Sequence, residues 1–144
     1  MPDQIRPLVI CIFRDGDRIL VFEGYDSVRQ EKFYRPLGGG IEFGERAQDA
    51  LRREVREEIG AETTSLEYLF TLENIFIYNS ELGHEIVMVF DGQLADETLY
   101  SREIIAGTEL DGSQQTPLIA VWKQLAEFGP RAQLYPDGLL ERLI

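Results

Sequence analysis

Glu54, Glu57 and Glu58 lie within five residues of one another, in the run Arg53-Glu54-Val55-Arg56-Glu57-Glu58. Carboxylates set so close repel one another and need a cation or hydrogen bonds to compensate them. Clustered oxygen donors suit a hard divalent ion, and magnesium is commonly held by a few carboxylates together with waters and substrate phosphates. Just upstream stands Gly38-Gly39-Gly40. A stretch without side chains can bring backbone carbonyls to a metal and N–H groups to a phosphate. The chemistry these residue types suit is metal-assisted work on a phosphorylated ligand.

The element that must present the acids is a helix over Ala47 to Ile59, dense in Ala, Leu, Arg and Glu and stopped by Gly60. At about 100° per residue, Arg46, Asp49, Arg52, Arg53 and Arg56 fall on a solvated side, and Ala47, Ala50, Leu51 and Val55 form the stripe that meets the core. Glu54 and Glu58 fall inside that apolar stripe, and Glu57 sits at its edge. An inward carboxylate costs several kcal/mol unless it is compensated. Arg53 is one candidate partner, and a shared divalent cation is the cheaper solution.

Around this helix, Leu8 to Phe13 and Ile19 to Phe22 are apolar runs about a Gly/Asp cluster and read as a β-hairpin. Glu23 to Lys32 reads as a polar surface loop, and Phe33 to Gly44 as a short strand breaking into a glycine loop. Leu66 to Tyr78 and Glu85 to Leu94 predict a second hairpin, turning at Asn79 to Gly83. Asp96 to Gly112 is compatible with a short helix or an irregular excursion; Leu118 to Trp122 reads as a strand, Lys123 to Phe128 as a short helix, and Asp137 to Ile144 as a last helix. Strands interleaved with helices, without repeats or linkers, predict one α/β domain over residues 1–144.

The 144 residues carry 14 basic and 26 acidic side chains, a net charge of −12. That balance argues against unaided binding to a nucleic acid duplex or an anionic membrane. A bound cation would remove the objection to a phosphate ligand. The lone Cys11 excludes an internal disulfide, no apolar stretch approaches a bilayer span, and Met1 to Gln4 does not open like a secretion signal, so a cytoplasmic location is expected. Cys11 itself sits in an apolar run, as a small buried hydrophobe would.

Gly39, five residues, Glu45, seven residues, Arg53-Glu54-Val55, one residue, Glu57-Glu58, one residue, Gly60 and Ala61 together resemble the Nudix box. Every fixed position is matched, with Ala61 standing where a larger aliphatic residue is commoner and Leu37 standing where many members have proline. The resemblance implies an α/β/α sandwich around a mixed β-sheet, with the loop-helix-loop box as metal site. It implies hydrolysis of a phosphoanhydride in a nucleoside diphosphate linked to another moiety, with a small nucleotide as partner and room for a homodimer.

Carried onto this chain, the family pattern has Glu54, Glu57 and Glu58 hold Mg2+, with Mn2+ able to stand in, and adds the Gly38 carbonyl as a ligand. Glu45 and Arg53 would pair within the box. Glu54, or an acid from outside the box such as Glu85, would take the proton from the attacking water. His84 stands beside a turn, where it could position water or simply be solvated, and Glu42 is either a supporting or an exposed residue. Phe33, Tyr34, Phe76 and Tyr78 are candidates to stack on a base or to sit in the core. In the family pattern Tyr78 points to dinucleoside polyphosphates, whereas the proline associated with ADP-ribose and the Pro/Trp-rich array associated with NADH are absent. A non-catalytic nucleotide-sensing domain is the alternative to an enzyme; the intact set Glu45, Arg53, Glu54, Glu57 and Glu58 favours the enzyme.

Overall fold

A computed structural model of the chain describes residues 3–78, 80–111 and 113–144. Its strands are β1 (Ile5–Asp15), β2 (Arg18–Asp26), β3 (Glu31–Gly40), β4 (Thr63–Tyr78), β5 (Glu81–Leu94), β6 (Ile104–Asp111), β7 (Gln114–Gln124) and β8 (Gln133–Leu134). The helices α1 (Ala47–Ile59) and α2 (Leu139–Leu143) complete the fold. The strands form an open mixed sheet in the order β4-β5-β1-β3-β2-β7-β6, with β8 added beside β3. Parallel pairing of β1 with β5 and of β3 with β8 makes the sheet mixed.

The unbroken apolar runs of β1 and β2 follow from burial on both faces, since successive strand residues point to opposite sides. Val9, Cys11, Phe13, Leu20 and Phe22 pack with Ala50, Leu51 and Val55 of α1. Ile10, Ile12, Ile19 and Val21 face the other way, toward Phe128, Leu134, Leu139 and Leu143. Each such side chain contributes roughly 1.5–3 kcal/mol on leaving water. The result is the expected α/β/α layering, with the sheet sandwiched between α1 and α2.

β3 changes partner along its length. Glu31 to Pro36 pair with β2, while Leu37 to Gly40 pair with β1. The three glycines therefore end a strand and do not form the loop expected from sequence; the loop is only 41–46. Backbone geometry explains why they are glycine. Gly38 has φ +145, and a Cβ there would lie 2.7 Å from the Cα of Ile10 on the adjacent strand.

Other expectations also shift. The first hairpin pairs only at Arg14↔Ile19 and Asp15↔Arg18, the end of β1, whose preceding residues lie between β5 and β3. The polar stretch 23–32 is mostly strand, with Tyr25↔Lys32 and Asp26↔Glu31 still paired, because a ladder needs backbone partners rather than apolar side chains. The segment 96–112 holds a 3-10 helix (Glu97–Ser101) and β6, which pairs with β7; Gly112 lies outside the described residues. Lys123 and Gln124 belong to β7, leaving only a 3-10 turn (Leu125–Glu127) where a short helix was expected. The second hairpin is present, from Thr63↔Leu94 to Tyr78↔Glu81. Its turn is tighter than expected, since Glu81 to Gly83 are already in β5, while Asn79 lies outside the described residues, as do Met1 and Pro2.

Candidate active site

α1 brings its acids to the end of β3. Glu58 is buried at 5% exposure, and its Oε1 accepts the Gly38 N–H at 3.0 Å. Glu54 lies one turn earlier, half-buried, and fills the space that a side chain at position 39 would need: a Cβ on Gly39 would come within 2.5–2.7 Å of both carboxylate oxygens. Glu57 is turned further out, its side chain 35% exposed. The helix ends at Gly60, which adopts the left-handed conformation with φ +66.

Arg53 does not extend into solvent as the helical projection suggested. Its guanidinium reaches across the turn and donates from Nε and Nη2 to the two Glu45 oxygens, each at 2.9 Å. The same group donates to Glu54 Oε1 and the Gly40 carbonyl at 3.0 Å, and to Glu57 at 3.3 Å. This fork ties loop, strand and helix together. Glu42 stays exposed, and its N–H donates to Glu45 Oε1 at 3.1 Å.

The electrostatics separate the acids. Hydrogen bonds from Arg53, and then from the Glu42 N–H, hold Glu45 down to about 2. Burial pushes Glu58 up to about 8 against the opposing pull of Arg35 and the Gly38 N–H. Burial also raises Glu54, despite its bond to Arg53. In both acids burial works against the charged form, a deficit that added positive charge would offset. Among the described residues no three acidic, His or Cys side chains already converge on one point. The donor chemistry nevertheless fits a hard divalent cation, because Glu54, Glu57 and Glu58 offer only oxygens and Glu58 is held inward at an energetic cost that a cation would relieve.

Glu54, Glu58 and Gly38 to Gly40 form one wall of a cavity of about 270 Å3. Glu85 forms part of the opposite wall, at the centre of a row across three strands: β1 places Arg6 beside it and β4 places Asn74 on its other side. Arg6 Nη1 lies 3.5 Å from Glu85 Oε2, and Asn74 Nδ2 donates to Oε1 at 3.4 Å. Arg35, paired with Glu109 at 2.7 Å, lines the floor, and Tyr135 closes one side. Arg6, Arg35, Asn74, Glu109 and Tyr135 were not marked by sequence reasoning. No local pattern could have marked Arg6 or Asn74, since only strand pairing makes them neighbours of Glu85.

The remaining candidates fall elsewhere. His84 borders a second cavity, and its Nε2 is buried without a hydrogen-bond partner among the described residues. Tyr34 is core, packed edge-on against Phe128. Phe33 packs edge-on against Tyr135, 5.8 Å between centroids. Phe76 and Tyr78 line the second cavity. Cys11 is fully buried, and burial, followed by Asp91, pushes its thiol well up, so it is no nucleophile.

No helix among the described residues is long and apolar enough to cross a membrane. The NAD(P)H pyrophosphatase NUDT13, mitochondrial, from Homo sapiens is 38% identical over 69 residues, which are 45% of this chain and 18% of that protein. The NAD-capped RNA hydrolase NudC from Pseudomonas putida (strain W619) is 39% identical over 70 residues, 46% of this chain and 23% of its own length. The chain thus spans about a fifth of the length of these relatives. The crystal structure of MutT NUDIX hydrolase from Burkholderia pseudomallei superposes with a TM-score of 0.63 at 17% identity, covering 98% of this chain and 96% of that one, a likeness of fold. A family model described as NUDIX domain matches residues 4–137. That match takes in the box, the whole mixed sheet and both walls of the cavity, and on it the chain belongs to the Nudix hydrolase family.

Proposed function

We propose that this chain hydrolyses a pyrophosphate bond in a nucleoside diphosphate linked to another moiety, in a reaction that requires Mg2+ or Mn2+. The observation that carries the reading is the pairing of buried Glu58 with half-buried Glu54 against the glycine end of β3, on the wall of a cavity that also holds Arg6 and Arg35. The names of the relatives, both concerned with NAD-type pyrophosphates, support the reading.

Glu54, Glu57 and Glu58 would hold the divalent ion, with the Gly38 carbonyl as a further ligand. When bound, such an ion lowers the pKa of water and neutralises charge on the pyrophosphate oxygens. Glu54 takes a proton from the attacking water. Arg53 occupies only Oε1 of Glu54, whereas Glu85 is engaged at both oxygens by Arg6 and Asn74 and Glu58 is the more deeply buried acid. The water oxygen bonds to one phosphorus, the bridging P–O bond breaks, and the bridging oxygen departs with the second phosphate. Arg35 and Arg6 offer the positive charge that holds the non-reacting phosphate oxygens. Arg53 and Glu45 keep the helix in register with the strand, so Glu54 stays aimed.

The test is a colorimetric screen for phosphate release with phosphatase coupling, across nucleoside triphosphates, nucleotide sugars, ADP-ribose and dinucleoside polyphosphates. Turnover in magnesium that disappears in EDTA is expected. Intact substrates throughout, or equal rates in EDTA, would overturn the reading.

A further inference from the structure

Arg6 and Glu85 stand between the cavity described above and a neighbouring one. Both residues also line a second cavity of about 380 Å3 at the outer end of the β4–β5 hairpin, together with Phe76, Tyr78 and Gly83. Phe76 and Gly83 are cross-strand partners. A Cβ added to Gly83 would fall within 2.6–2.8 Å of both Cε atoms of Phe76, so the ring lies flat over the glycine backbone. One ring face is thus spent on the sheet, and the face that borders the cavity is free to stack. Tyr78, two residues on and therefore on the same side of the strand, is 68% exposed at the rim. The Arg6 side chain, 64% exposed, stands at the junction of the two cavities.

We propose that this outer cavity binds a flat heterocyclic ring stacked on Phe76, so that preferred substrates carry a ring on each side of the pyrophosphate. The inference rests on the hydrolase reading and names the substrate class for that same site. A pyrophosphate held at Glu54 and Glu58 has one arm directed past Arg6, and the next group along that arm meets the Phe76 face. The occupant is a neutral or cationic ring and not a further phosphate or a polynucleotide tail, because Glu81 and Glu85 border the outer cavity and the chain carries −12 overall. Base-on-aromatic stacking contributes about 1–3 kcal/mol.

NAD+ and ADP-ribose differ by one ring, so they report this site directly. The full chain with magnesium is expected to favour NAD+ in kcat/KM, and Phe76→Leu is expected to lower kcat/KM on NAD+ about fivefold or more beyond its effect on ADP-ribose. In the wild-type protein, the backbone amide signals of Phe76 and Gly83 are expected to move with NAD+ and to stay with ADP-ribose. Equal loss on the two substrates in Phe76→Leu, or equal amide shifts with the two ligands, overturns the proposal. Should the wild-type chain cleave neither compound, the amide pattern alone decides the subsite, and the hydrolase reading is decided by the wider substrate screen.

Discussion

At the junction of β3 and α1 a carboxylate is inside; at the outer end of the β4–β5 hairpin, hydrophobes are outside. Glu58 is 5% exposed, whereas Ile75, Ile77 and Leu82 are 60%, 76% and 71% exposed. Both regions break the ordinary rule of burial, with opposite consequences. The buried carboxylate is surrounded by groups that cannot move: a glycine with φ +145, a backbone N–H aimed at its oxygen, and an arginine fork fixing the next turn. The exposed isoleucines touch little, so nothing nearby depends on their shape. The proposed chemistry belongs to the rigid region, where a buried carboxylate is held by a single backbone N–H. The proposed substrate choice belongs to the open one, where exposed side chains can vary at little cost to the fold.

That contrast can be broken by substitution. Glu54→Gln keeps the volume and removes the negative charge, so turnover should fall on the order of 10² to 10⁴-fold while the melting temperature is retained; steady-state kinetics beside thermal unfolding would check both halves. Gly38→Ala puts a methyl against the β1 backbone at a φ that L side chains rarely adopt, and should cost about 2–4 kcal/mol in urea unfolding. An unchanged midpoint would show that the strand junction is not rigid.

pH sharpens the comparison further. Glu58 titrates near 8 in the folded chain and near 4.5 when unfolded, so the folded state binds the extra proton between those values. The stability from this group is complete below about pH 4.5 and is lost as pH rises through about 8. In EDTA the melting temperature should therefore decline across that window, and Glu58→Gln should flatten this part of the decline. Magnesium, added at pH 8, should restore stability to the wild type but not to the variant. The smallest effect belongs to the hairpin: Ile77→Thr should change stability by no more than about 0.5 kcal/mol, measured by the same urea titration.

The part of the site built from one continuous segment was legible in the sequence, because a helix converts spacing into direction. The positions of Ala50, Leu51 and Val55 fix the buried face of α1, and Glu54 and Glu58 turn inward with them. The same projection misplaced Arg53, since a long flexible side chain follows the charges within its reach rather than the angle of its Cα. The apolar runs of β1 and β2 were visible as strands, yet their neighbours were not, because a strand buried on both faces carries no mark of which edge it pairs with.

By itself the sequence determined the acidic helix, the glycine approach to it and the α/β character of the chain, all of which rest on local geometry and charge. Only the tertiary structure decided that the glycines close a strand, that Arg6 and Asn74 flank Glu85, that Arg35 lines the cavity floor, and that a second cavity opens beyond them. Those facts arise from strand pairing between residues far apart in the chain, and backbone hydrogen bonds hold strands together with little regard for side-chain identity. A sequence pattern therefore leaves such pairings unmarked, and the fold supplies them.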